Sequence, residues 1–156
     1  MSLFFYDTAI GTIGIADTNN GGSICGVYFQ GAQLPQEAVI YESALIREAA
    51  NQLERYLRGE LQVFSLPLTP EGTPFMKEVW GILCEIPYGE TATYKQIAEK
   101  VGRPKAVRAV GLACKRNPLP LFIPCHRVVG SNGHLTGYRG GLKIKEQLLL
   151  LEAEVE

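Results

Sequence analysis

The chain has 156 residues, of which 46% are hydrophobic and 20% charged, and its net charge is −1. This length predicts one ordinary domain or two small ones, with enough apolar residues for a real core. No apolar run reaches the roughly 18 residues of a membrane helix, and the first residues lack the basic and apolar regions of a signal peptide. We therefore expect a soluble protein of the cytoplasm, or of the nucleus if the source is eukaryotic.

The near-neutral total charge hides an uneven distribution. Residues 1–69 carry three basic residues against seven acids, whereas residues 70–156 carry twelve against nine. Within residues 93–116, seven basic residues accompany a single acid, Glu99. A local patch of this kind can bind phosphate groups whatever the total charge is. A solvated helix face would have the same composition.

The first third of the chain indicates strands followed by a helix. Residues 11–16 alternate isoleucine with small or polar residues, and residues 24–29 would form the partner strand. The Asn-Asn-Gly-Gly sequence at 19–22 is a strong turn signal. A helical pattern with apolar residues four apart follows from about 41 to 58, and Gly59 is placed to end it.

A linker that contains proline and glycine, residues 66–72, is the best domain boundary in the chain. We therefore predict two domains, residues 1–69 and residues 70–156. The second opens with Thr73 as a helix N-cap and Pro74 at the first helical position.

Two short helices with a tight turn between them are predicted in the basic region. Thr93 and, three residues later, Gln96 fit a capping box, and Gly102 ends the first short helix. The second is expected to start at Arg103-Pro104 and to run to about Arg116. Helix, glycine turn and helix, with basic residues on both, is the helix-turn-helix pattern. Two packed helices with a structural role would share this spacing.

The second of these helices consists of small and apolar residues around one internal arginine, Arg108. It offers few long polar side chains that could contact bases in the major groove. Small residues instead permit close approach to a shallow or narrow groove, where Arg108 could enter the base stack or the minor groove. The same small residues could also pack against the first half of the chain.

A thiol, an imidazole and a guanidinium are consecutive at Cys125-His126-Arg127. A cysteine beside cationic groups can be held as thiolate, which is its nucleophilic form. In an extended segment neighbouring side chains point to opposite faces, so we expect a water or a bend between Cys125 and His126. A lone cysteine is more often a small buried hydrophobe, and this is our interpretation of Cys25 and Cys84.

The four cysteines have no paired spacing, and neither CxxC nor HxxxH occurs, so we predict no metal site. We also expect no cofactor. Downstream, the glycine-rich loop 137–141 could close over a planar ligand with Tyr138 as one wall, or could be an ordinary turn. A final helix is predicted from Leu142 to about 154. Glu152 near its end could orient His126, although its spacing favours a solvated terminal acid.

At these residues the chain resembles the O6-alkylguanine-DNA alkyltransferases, also called methylated-DNA–protein-cysteine methyltransferases. The resemblance covers nearly all of residues 73–152 in order, and the Pro-Cys-His-Arg-Val core is very specific. The matching segments are Ile86-Pro87-Tyr88-Gly89-Glu90-Thr91, Arg103-Pro104-Lys105-Ala106, Arg108-Ala109-Val110-Gly111, Asn117-Pro118, Ile123-Pro124-Cys125-His126-Arg127-Val128, Gly137-Tyr138-Arg139-Gly140-Gly141-Leu142, and Lys145-Glu146 with Leu148-Leu149 and Glu152.

The resemblance implies an α+β fold. A small N-terminal α/β domain, ribonuclease H-like, would precede a mainly helical catalytic domain of winged helix-turn-helix type. It also implies direct-reversal DNA repair by a monomer that approaches double-stranded DNA from the minor groove. The alkyl group of O6-alkylguanine, and by extension of O4-alkylthymine, would pass irreversibly to Cys125, once per molecule, after the nucleotide is flipped out of the helix.

The resemblance also implies roles for individual residues. His126 would deprotonate Cys125 through a water, with Glu152 orienting the imidazole. Asn117 would link the recognition helix to the active-site segment, and Tyr94 would help to rotate the nucleotide and could protonate the departing guanine. Arg108 would replace the flipped base in the stack. The implied DNA-binding residues are Arg108, Ala106, Ala109, Lys105 and Thr93, and the implied base pocket comprises Tyr138, the backbone of Val128, Arg139 and Cys114.

Three other functions fit parts of the pattern. A lesion-sensing relative without repair activity would have replaced the acceptor cysteine, so the presence of Cys125 argues against it. A cysteine hydrolase would turn over small acyl substrates and would not need the basic helix pair. A transcription factor with an inert thiol would bind DNA equally well after Cys125→Ser.

Overall fold

The computed structural model describes residues 1–154 and has an α+β fold. It divides into two compact units, Met1–Pro70 and a second that begins at Glu71. None of the helices among the described residues is long and apolar enough to cross a membrane.

The first unit is a four-stranded sheet with one helix. Its strands are β1 (Ser2–Thr8), β2 (Gly11–Asp17), β3 (Ile24–Phe29) and β4 (Val39–Ile40). The order across the sheet is β3-β2-β1-β4, with β1, β2 and β3 antiparallel and the short edge strand β4 parallel to β1. Helix α1 (Ala44–Leu57) contacts β1, β2 and β3.

The core of the first unit lies between α1 and the sheet. Ile13 and Ile15 from β2 and Ile46 and Leu53 from α1 are buried, as the periodicities of a strand and a helix predict. The Ser43 hydroxyl accepts a hydrogen bond from the Ile46 backbone N–H and thereby caps α1.

The second unit opens with helix α2 (Pro74–Leu83). The Thr73 hydroxyl accepts from the Met76 backbone N–H, which confirms the predicted N-cap. The helix buries Val79, Trp80 and Leu83. The Trp80 indole Nε1 donates to the Ala113 carbonyl at 2.8 Å, so the ring holds α2 against the later helix that contains Ala113.

Two short helices follow, α3 (Tyr94–Lys100) and α4 (Val107–Lys115). The predicted capping box is present in both directions: Gln96 N donates to Thr93 Oγ1 at 3.1 Å, and Thr93 N donates to Gln96 Oε1 at 2.9 Å. The prediction that the second helix starts at Arg103-Pro104 is wrong. Ala106 N donates to the Arg103 carbonyl at 2.9 Å, so these residues form a turn with proline at its favoured second position.

The last helix of the described residues is α5 (Leu142–Ala153). It is preceded by a two-residue strand β6 (Val128–Val129) that pairs in parallel with β5 (Ala92–Thr93). Helix α5 buries Lys145, Leu148 and Glu152, which are spaced three and four apart on one face. Consequently, two of the three α5 residues that face the interior are charged.

Candidate active site

The second unit contains an open cavity of about 790 Å³ beside α4. One wall is the C-terminal half of α4, and the other is the loop 137–139. Two aromatic rings, Tyr94 and Tyr138, and two sulfur atoms, those of Cys114 and Cys125, face the same space. An aromatic-lined cavity with a thiol in its wall suits a planar ligand that carries an electrophilic carbon.

Cys125 begins a single turn of 3-10 helix, Cys125–Arg127. The segment is therefore not extended at this point, and of the two possibilities, a water or a bend, the bend is present. The Arg127 backbone N–H donates to the Pro124 carbonyl at 3.0 Å and closes this turn. Cys125 is only 6% exposed, yet it reaches the cavity wall.

Burial raises the pKa of the Cys125 thiol. A hydrogen bond from the Asn117 side chain and the charges of Lys145 and Arg139 oppose this effect without outweighing it. Of the two forms that the sequence left open, the resting protein therefore holds Cys125 as the thiol. The thiol needs a base at the moment of reaction.

A buried network behind Cys125 contains a candidate base. His126 and Glu152 are 0% and 2% exposed, and His126 Nε2 lies 2.7 Å from Glu152 Oε2. Because a carboxylate can only accept a hydrogen bond, we place the imidazole proton on Nε2, which donates to Glu152 Oε2. The interpretation of Glu152 as a solvated terminal acid is wrong, since the face of α5 that carries it points into the interior of the unit.

Arg127 holds the same carboxylate from a second side. Its Nε donates to Glu152 Oε1 at 2.8 Å and its Nη2 donates to Oε2 at 3.1 Å, while Nη1 donates to the Ile86 carbonyl at 2.8 Å. The Gly89 backbone N–H also donates to Oε1, at 3.3 Å. Arg127, which follows Cys125 and His126 in the sequence, thus binds Glu152 and does not act directly on the thiol.

Burial lowers the pKa of His126, although Glu152 acts in the opposite direction. The imidazole is therefore neutral near neutral pH and can accept a proton. Since Nε2 is engaged with Glu152, a proton from Cys125 would arrive at Nδ1. The pair thus has the features of a general base with a carboxylate that orients it.

Asn117 connects the end of α4 to the segment that leads to Cys125. It is buried, its Nδ2 donates to the Ile123 carbonyl at 3.0 Å, and its Oδ1 accepts from the Leu119 backbone N–H at 2.9 Å. Arg139 Nη1 donates to the Asn117 carbonyl at 3.1 Å, which joins the loop 137–139 to the same point.

Tyr94 belongs to a second hydrogen-bonded group on the cavity wall. Its hydroxyl lies 2.5 Å from Thr136 Oγ1, and the buried Lys145 Nζ donates to the Val128 carbonyl at 2.7 Å and to the Thr136 carbonyl at 3.2 Å. Sequence reasoning assigned no role to Thr136 or Lys145. The spacing of Lys145, three residues before Leu148 in the predicted last helix, could have indicated that it is buried. No sequence pattern indicates a role for Thr136.

The structure brings together three of the four expected base-pocket residues. Tyr138, Arg139 and Cys114 line the cavity, whereas Val128 is fully buried behind it with its carbonyl bonded to Lys145. Burial raises the pKa of Cys114 from 9.0 to about 12, so this thiol is neutral.

Two cysteines that we expected in the core are not there. Cys25 is half-buried, and Cys84 is exposed. Cys84 is the C-cap of α2, where the helix reaches the surface, so the apolar periodicity no longer determines burial. Among residues 1–154 no three His, Cys, Asp or Glu side chains are grouped so as to bind a metal ion.

None of the residues expected to bind DNA lines the cavity, and they lie in α4, at the N-caps of α3 and α4, and in the turn between the two helices. Arg108, Lys105 and Ala109 are exposed, and Ala106 and Thr93 are half-buried. The other basic side chains of the region, Lys95, Lys100, Arg103, Lys115 and Arg116, are exposed as well. Every positive charge of this patch therefore faces solvent.

Comparison with known proteins places the chain in a family. The family model described as "6-O-methylguanine DNA methyltransferase, DNA binding domain" matches residues 74–154. The methylated-DNA–protein-cysteine methyltransferase of Methanosarcina barkeri is 62% identical over 113 residues, which are 72% of each chain. The chain belongs to the methylated-DNA–protein-cysteine methyltransferase family. All residues that line the cavity lie within the matched part of this methyltransferase.

Further relatives support the assignment to the methyltransferase family. The constitutive methylated-DNA–protein-cysteine methyltransferase of Bacillus subtilis is 55% identical over 112 residues, 71% of this chain and 68% of the relative. The crystal structure of Mycobacterium tuberculosis OGT in complex with DNA superposes with a TM-score of 0.92 at 38% identity, covering 98% of this chain and 93% of that chain. The α+β fold is thus shared with a solved member of the methyltransferase family.

Proposed function

We propose that this protein repairs DNA by direct reversal and transfers the alkyl group of O6-alkylguanine to its own Cys125. The observation that carries the proposal is the position of Cys125 in the cavity wall, directly before the buried His126–Glu152 pair. The sulfur attacks the alkyl carbon, the bond from that carbon to O6 breaks, and a thioether forms. Water does not cleave a thioether, so each molecule acts once. O4-alkylthymine offers the same type of carbon and is a second substrate by this chemistry.

His126 is the general base in this proposal. It is neutral, and it receives the Cys125 proton through a bridging water, while Glu152 stabilises the imidazolium that forms. Tyr94 remains protonated, because burial raises its pKa, and it can therefore donate a proton to the departing guanine. Asn117 keeps the segment before Cys125 in register with α4.

Double-stranded DNA is the proposed partner, approached from the minor groove. The alkylated base must leave the stack to reach a thiol that is 6% exposed. Arg108 projects from α4 and would fill the gap in the stack, while Ala106 and Ala109 permit close approach and Lys105 and Thr93 contact the backbone. The flipped base would lie between Tyr138 and α4, with Arg139 and Cys114 around it, whereas Val128 lies behind the cavity wall.

We further propose that residues 1–69 and residues 70–156 are two domains with different folds. The first would be ribonuclease H-like, in keeping with three antiparallel strands followed by a parallel fourth. The second would be a winged helix-turn-helix domain that carries both DNA binding and alkyl transfer, with β5 and β6 beside α3. The protein would act as a monomer in the cytoplasm, without a cofactor.

The experiment that tests this function is mass spectrometry of the intact protein and its peptides after mixing with a duplex that contains O6-methylguanine. One methyl group per molecule, located on Cys125, is the expected result. Cys114→Ser is the matched control, because it removes the other cavity thiol and should still accept one methyl. Bound protein with DNA that stays methylated would instead indicate a lesion-sensing function.

A further inference from the structure

Three residues of the second unit form a continuous hydrogen-bonded chain from the cavity wall to a buried amine. The Tyr94 hydroxyl lies 2.5 Å from Thr136 Oγ1, and Lys145 Nζ donates to the same oxygen at 3.3 Å. We propose that Thr136 and Lys145 form a proton relay that resupplies Tyr94 as the alkylated base is released. This proposal rests on the function proposed above and assigns positioning roles to two residues.

The position of the Thr136 side chain is fixed by its surroundings. A Cβ atom at Gly130 would lie 3.2 Å from Thr136 Cγ2, so the methyl group packs closely on a residue without a side chain. The loop closes on itself there, because Gly130 N donates to the His134 carbonyl at 2.8 Å. With its methyl group held, the threonine directs its hydroxyl towards Tyr94 and Lys145.

Lys145 is fixed in the same way. It is 0% exposed, and its Nζ uses its three donor positions on the Val128 carbonyl, the Thr136 carbonyl and Thr136 Oγ1. A buried amine with three neutral oxygen partners and no carboxylate among them is a better acid than a surface lysine. Its proton can pass only along the bond to the threonine hydroxyl, since a carbonyl oxygen does not carry protons onward.

The relay accounts for the proton that the departing guanine must gain. When sulfur takes the alkyl carbon, guanine departs with an extra electron pair and must gain one proton. Tyr94 gives its phenolic proton, Thr136 gives its hydroxyl proton to the tyrosinate, and Lys145 gives an ammonium proton to Thr136. Guanine leaves neutral, Lys145 ends as a neutral amine, and the thiol proton resides on His126.

The electrostatics favour transfer in this direction. Burial raises the pKa of Tyr94 and lowers the pKa of Lys145, so both shifts favour a proton on the phenol over a proton on the amine. The other titratable groups that act on Lys145 or respond to its charge are Cys114, Cys125 and His126. A lysine that becomes neutral also removes a cation next to His126 at the moment when the imidazole gains charge.

The test is single-turnover transfer from free O6-benzylguanine to the full chain, measured over a range of substrate concentrations. For Thr136→Ala we expect the limiting rate constant to fall by about 10- to 100-fold with an unchanged half-saturating concentration. Thr136→Ser keeps the hydroxyl and should stay within about threefold of the original rate. Ser131→Ala, an exposed hydroxyl in the same loop, is the control and should change nothing.

A second reagent separates the relay from activation of the thiol. Iodoacetamide alkylates the Cys125 thiolate, but its leaving group, iodide, takes no proton. The relay predicts that Thr136→Ala reacts with iodoacetamide at the original rate. Slowing with both reagents, or a raised half-saturating concentration alone, would show that Thr136 only shapes the pocket.

Lys145→Met supplies an independent measurement, with Lys143→Met on the exposed face of α5 as its control. In the wild type, the rate at alkaline pH should fall as Lys145 loses its proton. This decline should be absent in both Thr136→Ala and Lys145→Met. An alkaline decline that persists in folded Thr136→Ala would overturn the relay, whereas a wild type that never alkylates Cys125 would overturn the function itself.

Discussion

The Glu152 carboxylate is the most heavily constrained side chain of the site. It accepts from the His126 ring, from two nitrogens of Arg127 and from the Gly89 backbone. Its two oxygens are therefore held from three directions at almost no exposure to water. A carboxylate in this position can keep its charge close to the imidazole throughout a reaction, which is the requirement for stabilising an imidazolium.

We expect His126→Ala and Glu152→Gln to slow alkyl transfer while leaving affinity for DNA largely intact. Removal of a general base typically costs about 10²- to 10⁴-fold in rate, and loss of the group that orients it costs less. The measurement is the single-turnover rate beside a binding titration on the same duplex. Equal loss of rate and affinity would contradict the assigned roles.

Cys114 should make the stability of the protein sensitive to alkaline pH. Its thiol pKa is 9.0 in the unfolded chain and about 12 when buried, so in this window the unfolded state releases a proton that the folded state retains. The free energy of unfolding should therefore decrease as the pH rises through that range.

Cys114→Ala should reduce this decrease. Urea unfolding at about pH 8 and about pH 10.5 provides the comparison. Cys125 and Tyr94, whose pKa values are also raised, are present in both proteins, so the difference between them isolates Cys114. An identical loss of stability in the two proteins would mean that Cys114 is not protected from ionisation.

At the scale of an element, the loop from α4 to Cys125 depends on Asn117. Asn117→Ala removes two buried hydrogen bonds and leaves the Ile123 carbonyl and the Leu119 N–H unsatisfied. We expect a loss of about 2–4 kcal/mol in the free energy of unfolding. Asn51→Ala, on the exposed face of α1, is a suitable control, and a similar small effect of both changes would contradict the role of Asn117.

The exposed face of α4 carries Arg108, the side chain proposed to enter the base stack of DNA. Arg108→Ala should slow repair in duplex DNA by about 10-fold or more, because flipping loses its replacement in the stack. Its reaction with free O6-benzylguanine should remain unchanged, since that substrate needs no flipping. Arg103→Ala serves as a control of equal charge, and equal slowing of both substrates would refute the role of Arg108.

Most helix boundaries were predictable because they depend on local chemistry. The caps at Thr73 and Thr93 and the stop at Gly102 are determined by residues within one turn of the helix end. The start of α4 was not, because Arg103-Pro104 suits the first turn of a helix as well as a β-turn. Strand β4 has two residues and forms only by pairing with β1, so no local pattern indicates it.

The site was predictable in its reactive residues and less so in their surroundings. Cys125 and His126 are adjacent in the sequence, whereas Glu152 joins them only because α5 packs with that face inward. Spacing alone predicted that Glu152 is solvated, which is wrong. The family resemblance implied instead that Glu152 contacts His126. Thr136 lies in a glycine-rich loop without periodicity, so its contact with Tyr94 emerges only from the fold.

For the whole molecule, the net charge of −1 is a poor guide to affinity for a polyanion. Binding should follow the exposed cations of residues 93–116, and log Kd should vary linearly with log salt concentration. Lys105→Gln should reduce that slope by about 1. Lys77→Gln on α2 changes the total charge equally and should leave the slope unaltered, so equal effects would contradict a local interface.

Trp80 has a consequence of a different kind. It is the one tryptophan of the chain, it is 1% exposed, and its indole is bonded to the Ala113 carbonyl in α4, one residue from Cys114. Its emission wavelength and quantum yield therefore depend on the helix that lines the cavity and on no other tryptophan. Alkylation or DNA binding that displaces α4 can be followed by intrinsic fluorescence in stopped flow, with neither a dye nor an altered residue.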